Sequence, residues 1–162
     1  MRKIVALAVL AVLAGCEKED QGPWPGMFGT KAGITVAQLQ KHVVLQKKGD
    51  TDANGQDLYE SPQAPNMSAN ADKYSYVFGK EAGLCLVSAS YDSPQTGNSK
   101  VVDELIAKYG KPEKDEAVEN GVIWSAEKYK LDEGLKSVRI LFIGNQNPSA
   151  RVTAIYHDND CR

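Results

Sequence analysis

Histidine is nearly missing from this 162-residue chain: only His42 and His157 occur. Imidazole catalysis therefore has two places to start, and neither lies in a catalytic motif. His42 sits beside the apolar stripe of a predicted helix and reads as a surface or boundary residue. His157 stands in Tyr156-His157-Asp158-Asn159-Asp160, which reads as a solvated C-terminal turn, with a polar cluster or cation site as the alternative. Also lacking are Gly-x-Ser-x-Gly, His-Glu-x-x-His and a glycine loop that would cradle phosphate, so an enzyme is the weakest expectation. Carboxylates such as Glu113, Asp115 and Glu116 lie in a Lys-rich polar run, the usual composition of a solvated connection. No excess of positive charge is present, with 19 basic against 21 acidic residues, which argues against a nucleic-acid partner. Aromatic content is 7% and charged content 25%, values of an ordinary globular surface.

Against these absences, the N-terminus is rich in information. Arg2 and Lys3 precede the apolar run Ile4 to Val12, and Leu13-Ala14-Gly15-Cys16 comes next. A run this short cannot cross about 30 Å of hydrocarbon as a stable helix, which takes roughly 20 residues, so it is expected to be an export signal. Leu-Ala-Gly-Cys resembles the lipobox of bacterial lipoproteins, in which small residues before a cysteine admit the lipoprotein signal peptidase. That resemblance implies a signal peptide at 1–15, removed on maturation, and an acylated, palmitate-bearing Cys16. An ordinary secretory signal is the alternative. Several acyl chains would hold the domain on the membrane surface, since each buried methylene contributes about 0.8 kcal/mol. In Gram-negative lipoproteins the next residue influences sorting; Glu17 leans toward the outer membrane, facing the periplasm. Without Arg2 and Lys3, 17 basic residues face 21 acidic ones and the mature chain is near −4.

With Cys16 taken by lipid, Cys85 and Cys161 remain in an oxidising compartment, where such a pair is expected to bond. A bridge of that span would stabilise by about 4 to 5 kcal/mol on the chain-entropy model and would pin the C-terminus. Two unpaired thiols are the alternative. Residues 16–26, ending in Gly22-Pro-Trp-Pro-Gly26, read as a lipidated tether, and 27–162 as one domain. Trp24 is the tether's anomaly, with docking on the domain, contact with the membrane interface or contact with a partner all open.

Thr35 and Gln38 form a capping-box pattern, and Val36, Leu39 and Val43 recur at helical period, predicting a helix from about Val36 to Lys47. Directly after it comes Asp50-Thr-Asp52-Ala-Asn54-Gly55. Oxygen ligands at positions one, three and five with glycine at six resemble the first half of an EF-hand calcium loop. Position twelve is Ser61 instead of glutamate, with Glu60 one residue early and Asp57 as a substitute ligand. A polar loop with an Asn-Gly turn explains the same letters.

Residues 61–72 read as a loop, followed by strands at Tyr74–Phe78 and Leu84–Tyr91. A second helix is capped at Asn98 or Ser99 and stops at Gly110-Lys-Pro112, with Val102, Leu105, Ile106 and Tyr109 on one face. Further strands are predicted at 121–126, extended to Leu131, at 136–143 and at 151–156. The halves 27–92 and 93–162 superpose at an offset of 65 or 66 residues, placing Val87, Ala89 and Tyr91 on Val152, Ala154 and Tyr156. The expected fold class is therefore α+β: two tandem helix-plus-antiparallel-strands units forming a two-layer sandwich, with helices on one face of the sheet. Leu105-x-x-Lys108-Tyr-Gly-Lys-Pro112 and the Trp-bearing strand after it are similar to uncharacterised periplasmic lipoproteins. The element order resembles periplasmic assembly lipoproteins and secreted β-lactamase-inhibitor proteins. The expected function is that of a non-enzymatic module that binds another envelope protein in an assembly, inhibitor or immunity-type role. Tyr74, Tyr76, Leu86, Ser88 and Ser90 are the expected contacts, and a calcium-dependent module using Asp50, Asp52 and Asn54 is the alternative.

Overall fold

The computed structural model describes residues 22–66, 71–92, 98–132, 134–144, 149–157 and 161. They form eight strands, with apolar–polar alternation clearest in the third, fourth and eighth: β1 (Gln46–Lys48), β2 (Gln56–Ser61), β3 (Lys73–Gly79), β4 (Gly83–Tyr91), β5 (Glu113–Lys114), β6 (Gly121–Ser125), β7 (Ser137–Ile143) and β8 (Ser149–Ile155). They join edge to edge, every pair antiparallel, in one sheet of order β1-β2-β3-β4-β8-β7-β6-β5. Both edges are very short strands, which limits edge-to-edge association.

This corrects the expected architecture. Instead of two helix-plus-strands units in an α+β sandwich, the described residues are mostly β, one continuous eight-stranded sheet with two short α-helices. The largest discrepancy is the first helix. It is a single turn, α1 (Val36–Leu39), and the chain is already in the sheet by Gln46. The capping box forms as the spacing predicts, with Gln38 N–H donating to Thr35 Oγ1 at 3.2 Å and Thr35 N–H donating to Gln38 Oε1 at 2.8 Å. One turn plus the bend after it buries Leu39 and Val43 while Val44 stays 71% exposed. Beyond that point cross-strand ion pairs, Lys47 with Asp57 at 2.8 Å and Lys48 with Glu60 at 3.2 Å, accompany the pairing of 46–48 with β2. Tertiary pairing overrides a helical stripe that ends in three β-branched or bulky residues, Val43, Val44 and Leu45. The expected extension of the 121–126 strand to Leu131 is also absent, because Lys128 and Tyr129 N–H groups turn back onto the Ser125 carbonyl.

The second helix, α2 (Asn98–Tyr109), keeps its expected length. Val101, Leu105 and Tyr109 are buried in the main cluster, and Ile106 is left 40% exposed. Its end is fixed by Trp124, whose Nε1–H donates to the Gly110 carbonyl at 2.7 Å. One face of the sheet supplies the core. Tyr59, Tyr76, Val87, Ala154, Val138 and Trp124 stand opposite one another across six strands, and the next row holds Tyr74, Ala89, Val152 and Ile140. The N-terminal segment closes that core. Trp24 is buried edge-on against His42, Phe28 lies against Tyr74, and Thr30 Oγ1 meets the Tyr156 hydroxyl at 2.9 Å. The Pro-Trp-Pro part of the expected tether therefore belongs to the fold. Residues 16–21, including Cys16, lie outside the described residues.

Cys85 and Cys161 form a disulfide with Cα atoms 5.7 Å apart. Cys85 occupies the irregularity where β3–β4 pairing shifts register. Its carbonyl accepts N–H bonds from Tyr156 and His157, and Gln56 Nε2 donates to the Cys161 carbonyl at 2.8 Å. The C-terminus is thereby held at one end of the sheet.

Candidate partner-binding face

The second face of the sheet has no helix over it among the described residues, and its side chains are half-buried or exposed with few exceptions. Strand alternation and register organise it into rows. One row is aliphatic: Leu58, Val77, Leu86 and Ile155 are consecutive cross-strand partners on β2, β3, β4 and β8. Beside it runs a row of small hydroxyl residues, Ser75, Ser88 and Thr153, in which Ser88 and Thr153 share a 2.8 Å hydrogen bond. The third row holds Lys73, Ser90, Arg151 and Leu141.

Charge on this face is unevenly paired. Glu60 accepts from Lys73 at 2.8 Å and lies 3.2 Å from Lys48, and the Lys73 hydrogen bond holds its carboxyl below the usual glutamate range. Arg139 lies 3.4 Å from the buried carboxylate of Asp115. Arg151 is exposed and forms no ion pair with a described residue. Two cations thus share Glu60 and a third has no described counter-ion, which leaves the flank of the face around the third row positive on an otherwise acidic chain.

The expected contacts divide between the two faces. Leu86, Ser88 and Ser90 are on the uncovered side and half-buried. Tyr74 and Tyr76 are not available to a partner, which is a correction: both are fully buried, paired across from Ala89 and Val87. Burial raises both phenols, and Tyr76 O–H donates to the Gln63 carbonyl at 3.1 Å. In β3 the exposed parity belongs to Ser75 and Val77; a strand of alternating aromatics and small residues buries its aromatics. Leu58 and Ile155 are functional candidates that the sequence does not single out. β2 carries no strand pattern strong enough to stand alone, and no local signal shows that four separate strands align their aliphatic positions in register.

Asp50, Asp52 and Asn54 lie in the β1–β2 hairpin, exposed. Asp52 Oδ1 accepts the N–H groups of Asn54 and Gln56, both at 2.8 Å, which is the geometry of a turn-forming aspartate. Asp57 accepts from Thr51 at 2.6 Å and pairs with Lys47, hydrogen bonds that hold its carboxyl below the usual range. Ser61 is buried in β2 and Glu60 is occupied by lysines. Among the described residues no three His, Cys, Asp or Glu side chains converge as a metal site would require. Nor is any described helix long and apolar enough to cross a membrane.

No known protein family, curated protein or solved structure matches this chain.

Proposed function

We propose that the chain is an envelope lipoprotein, acylated at Cys16 and held at the outer membrane facing the periplasm, whose domain binds another envelope protein without turnover. The observation that carries this reading is the aliphatic row Leu58–Val77–Leu86–Ile155 in the middle of a sheet face that no described helix covers. An antiparallel sheet can leave one face in water when that face is polar. Here four adjacent strands place branched aliphatic side chains side by side, and Leu58 is 38% exposed. A partner that covers the row removes apolar surface from water at about 25 cal/mol per Å². The small hydroxyl row beside it admits close approach of another backbone, and the cationic flank favours a partner with acidic groups at the rim.

Leu86→Arg and Ile106→Arg, introduced separately into the full-length protein, test the proposal. Each leaves a well-folded domain in melting experiments, but only the first loses the protein that co-purifies with the parent from its own membranes. Equal retention by both variants would defeat the assignment of this face. Mass spectrometry of the mature N-terminal peptide tests the anchor, with diacylglycerol on Cys16 expected and a free thiol contrary to it.

A further inference from the structure

The geometry points to a carboxylate-binding pocket at the β6–β7 end of the open face, in which Arg139, Ser125 and Ser137 receive an Asp or Glu side chain of the docked protein. This rests on the proposed role of the face and names the chemistry of its partner. The pocket has a volume of about 440 Å³ and is lined by Ile123, Ser125, Glu127, Lys136, Ser137 and Arg139 among others.

Three features make it a built site. Arg139 is rooted by Asp115, a carboxylate only 3% exposed whose other oxygen accepts the Ala117 N–H at 3.0 Å and whose own N–H donates to the Gly121 carbonyl. The Nε edge of the guanidinium lies 3.4 Å from Asp115 Oδ2, at ion-pair distance but out of hydrogen-bond alignment. Its terminal nitrogens make no hydrogen bond to a described residue, and the side chain is 39% exposed, so the outer fork of donors is available. Ser137 is the second feature. The residue is 6% exposed and lines the pocket, and its hydroxyl makes no hydrogen bond to a described residue, so its O–H is open to donate into the pocket. Third, Ser125, directly across from Ser137, uses its oxygen to accept the Glu127 N–H at 3.3 Å, which leaves its O–H to donate.

The pocket is thus rich in donors but carries little net charge, because Asp115 and Glu127 offset Arg139 and Lys136. A planar monoanion suits it: a carboxylate takes two parallel bonds from an arginine fork and a third from a hydroxyl. A polyanion such as phosphate needs excess positive charge that the pocket does not have. The source is a protein side chain because Ser137 is the cross-strand partner of Ile155, the end of the aliphatic row. A segment that seats an apolar residue on Ile155 carries its neighbouring side chain to Arg139.

The test is a titration of isotope-labelled, processed full-length protein in detergent micelles, with the Arg139 Nε–H and the Ser125 and Ser137 amides observed by NMR. Acetyl-Leu-Glu-amide should shift these signals saturably, with acetyl-Leu-Gln-amide and inorganic phosphate weaker by about tenfold. Arg139→Gln should abolish the response, and Arg139→Lys, which keeps the charge and the fold, should weaken it severalfold. The pocket is wrong if phosphate or the glutamine peptide performs as well, if nothing saturates, or if Arg139→Lys matches the parent. Loss of co-purification in Leu86→Arg together with an unresponsive Arg139 sinks the pocket and leaves the face standing. Saturation at Arg139 with co-purification unaffected by Leu86→Arg supports the pocket and removes the face.

Discussion

Replacing Cys85 and Cys161 together by alanine should cost this domain much of its stability, and the structure sets the size. The bridge closes a segment with a sequence separation of 76. On the chain-entropy relation a loop of that length removes about 15 cal/mol/K from the unfolded ensemble, or about 4.5 kcal/mol at 25 °C. The tail beyond β8 has other ties, the Tyr156 and His157 N–H bonds to the Cys85 carbonyl and the Gln56 bond to the Cys161 carbonyl. Each contributes about 1 kcal/mol if it survives. The expected loss is therefore about 4.5 kcal/mol if the tail stays docked and about 7.5 if all three bonds are lost. Domains of this kind have about 5 to 15 kcal/mol in total, so the variant should stay folded only marginally. Urea unfolding of parent and double variant measures this directly. For a slope near 2 kcal/mol per molar urea, the midpoint should fall by about 2 to 4 M, with a steeper slope because the unfolded chain is no longer cross-linked. A loss below about 1 kcal/mol with an unchanged slope would refute the reasoning.

Other perturbations give independent checks. Tyr76→Phe should cost about 1 kcal/mol and Tyr76→Ala about 3 to 5, in urea unfolding, because the side chain is core and donates to Gln63. Gly83→Ala should cost about 2 to 4 kcal/mol, since φ is +68° and the added Cβ would lie 2.5 Å from the Gly33 carbonyl oxygen. Glu60 and Asp57 have depressed carboxyls, held down chiefly by hydrogen bonds from Lys73 and Lys47. The stability they contribute is present above the unfolded carboxylate range and is lost as pH falls through their lower folded values. Melting carried into acid should show that loss, less of it in Glu60→Gln. Burial pushes the Tyr156 phenol up to about 12, so its contribution is intact below 10.0 and disappears as pH rises toward 12, seen as late phenolate absorbance that coincides with unfolding. Millimolar calcium should leave the melting temperature unchanged, because Asp52 and Asp57 already serve backbone and lysine partners; a rise of several degrees would restore the hairpin as a cation site.

Local chemistry in the sequence is a good guide wherever one segment determines its own conformation. The Thr35–Gln38 capping box, the span of α2 and the alternation of β4 are all set by neighbours within a few residues. Pairing cannot be read locally. Gln46–Lys48 carries no strand signal of its own and enters the sheet because Glu60 and Asp57 face its lysines. The stripe Val36, Leu39, Val43 fits a helix of three turns and a one-turn helix with a bend equally well. Tyr74 and Tyr76 share one face by alternation, but only the register with Val87 and Ala89 shows that the face is the core. The open face is legible in part: Leu86, Ser88 and Ser90 come from β4 alone, whereas Leu58 joins them through the β2–β3 register, and Ile155 and Arg139 through the β4–β8 pairing of strands distant in sequence, where topology rather than propensity decides.

A photo-crosslinking scan in intact cells tests the central claim most directly, with the reactive residue placed in turn at Val77, Leu86 and Ile155 on the open face and at Val44 and Ile106 elsewhere. The account predicts one discrete protein adduct, of the same mass, from the three open-face positions and none from the other two. An adduct from Val44 or Ile106 with the open face silent would contradict it.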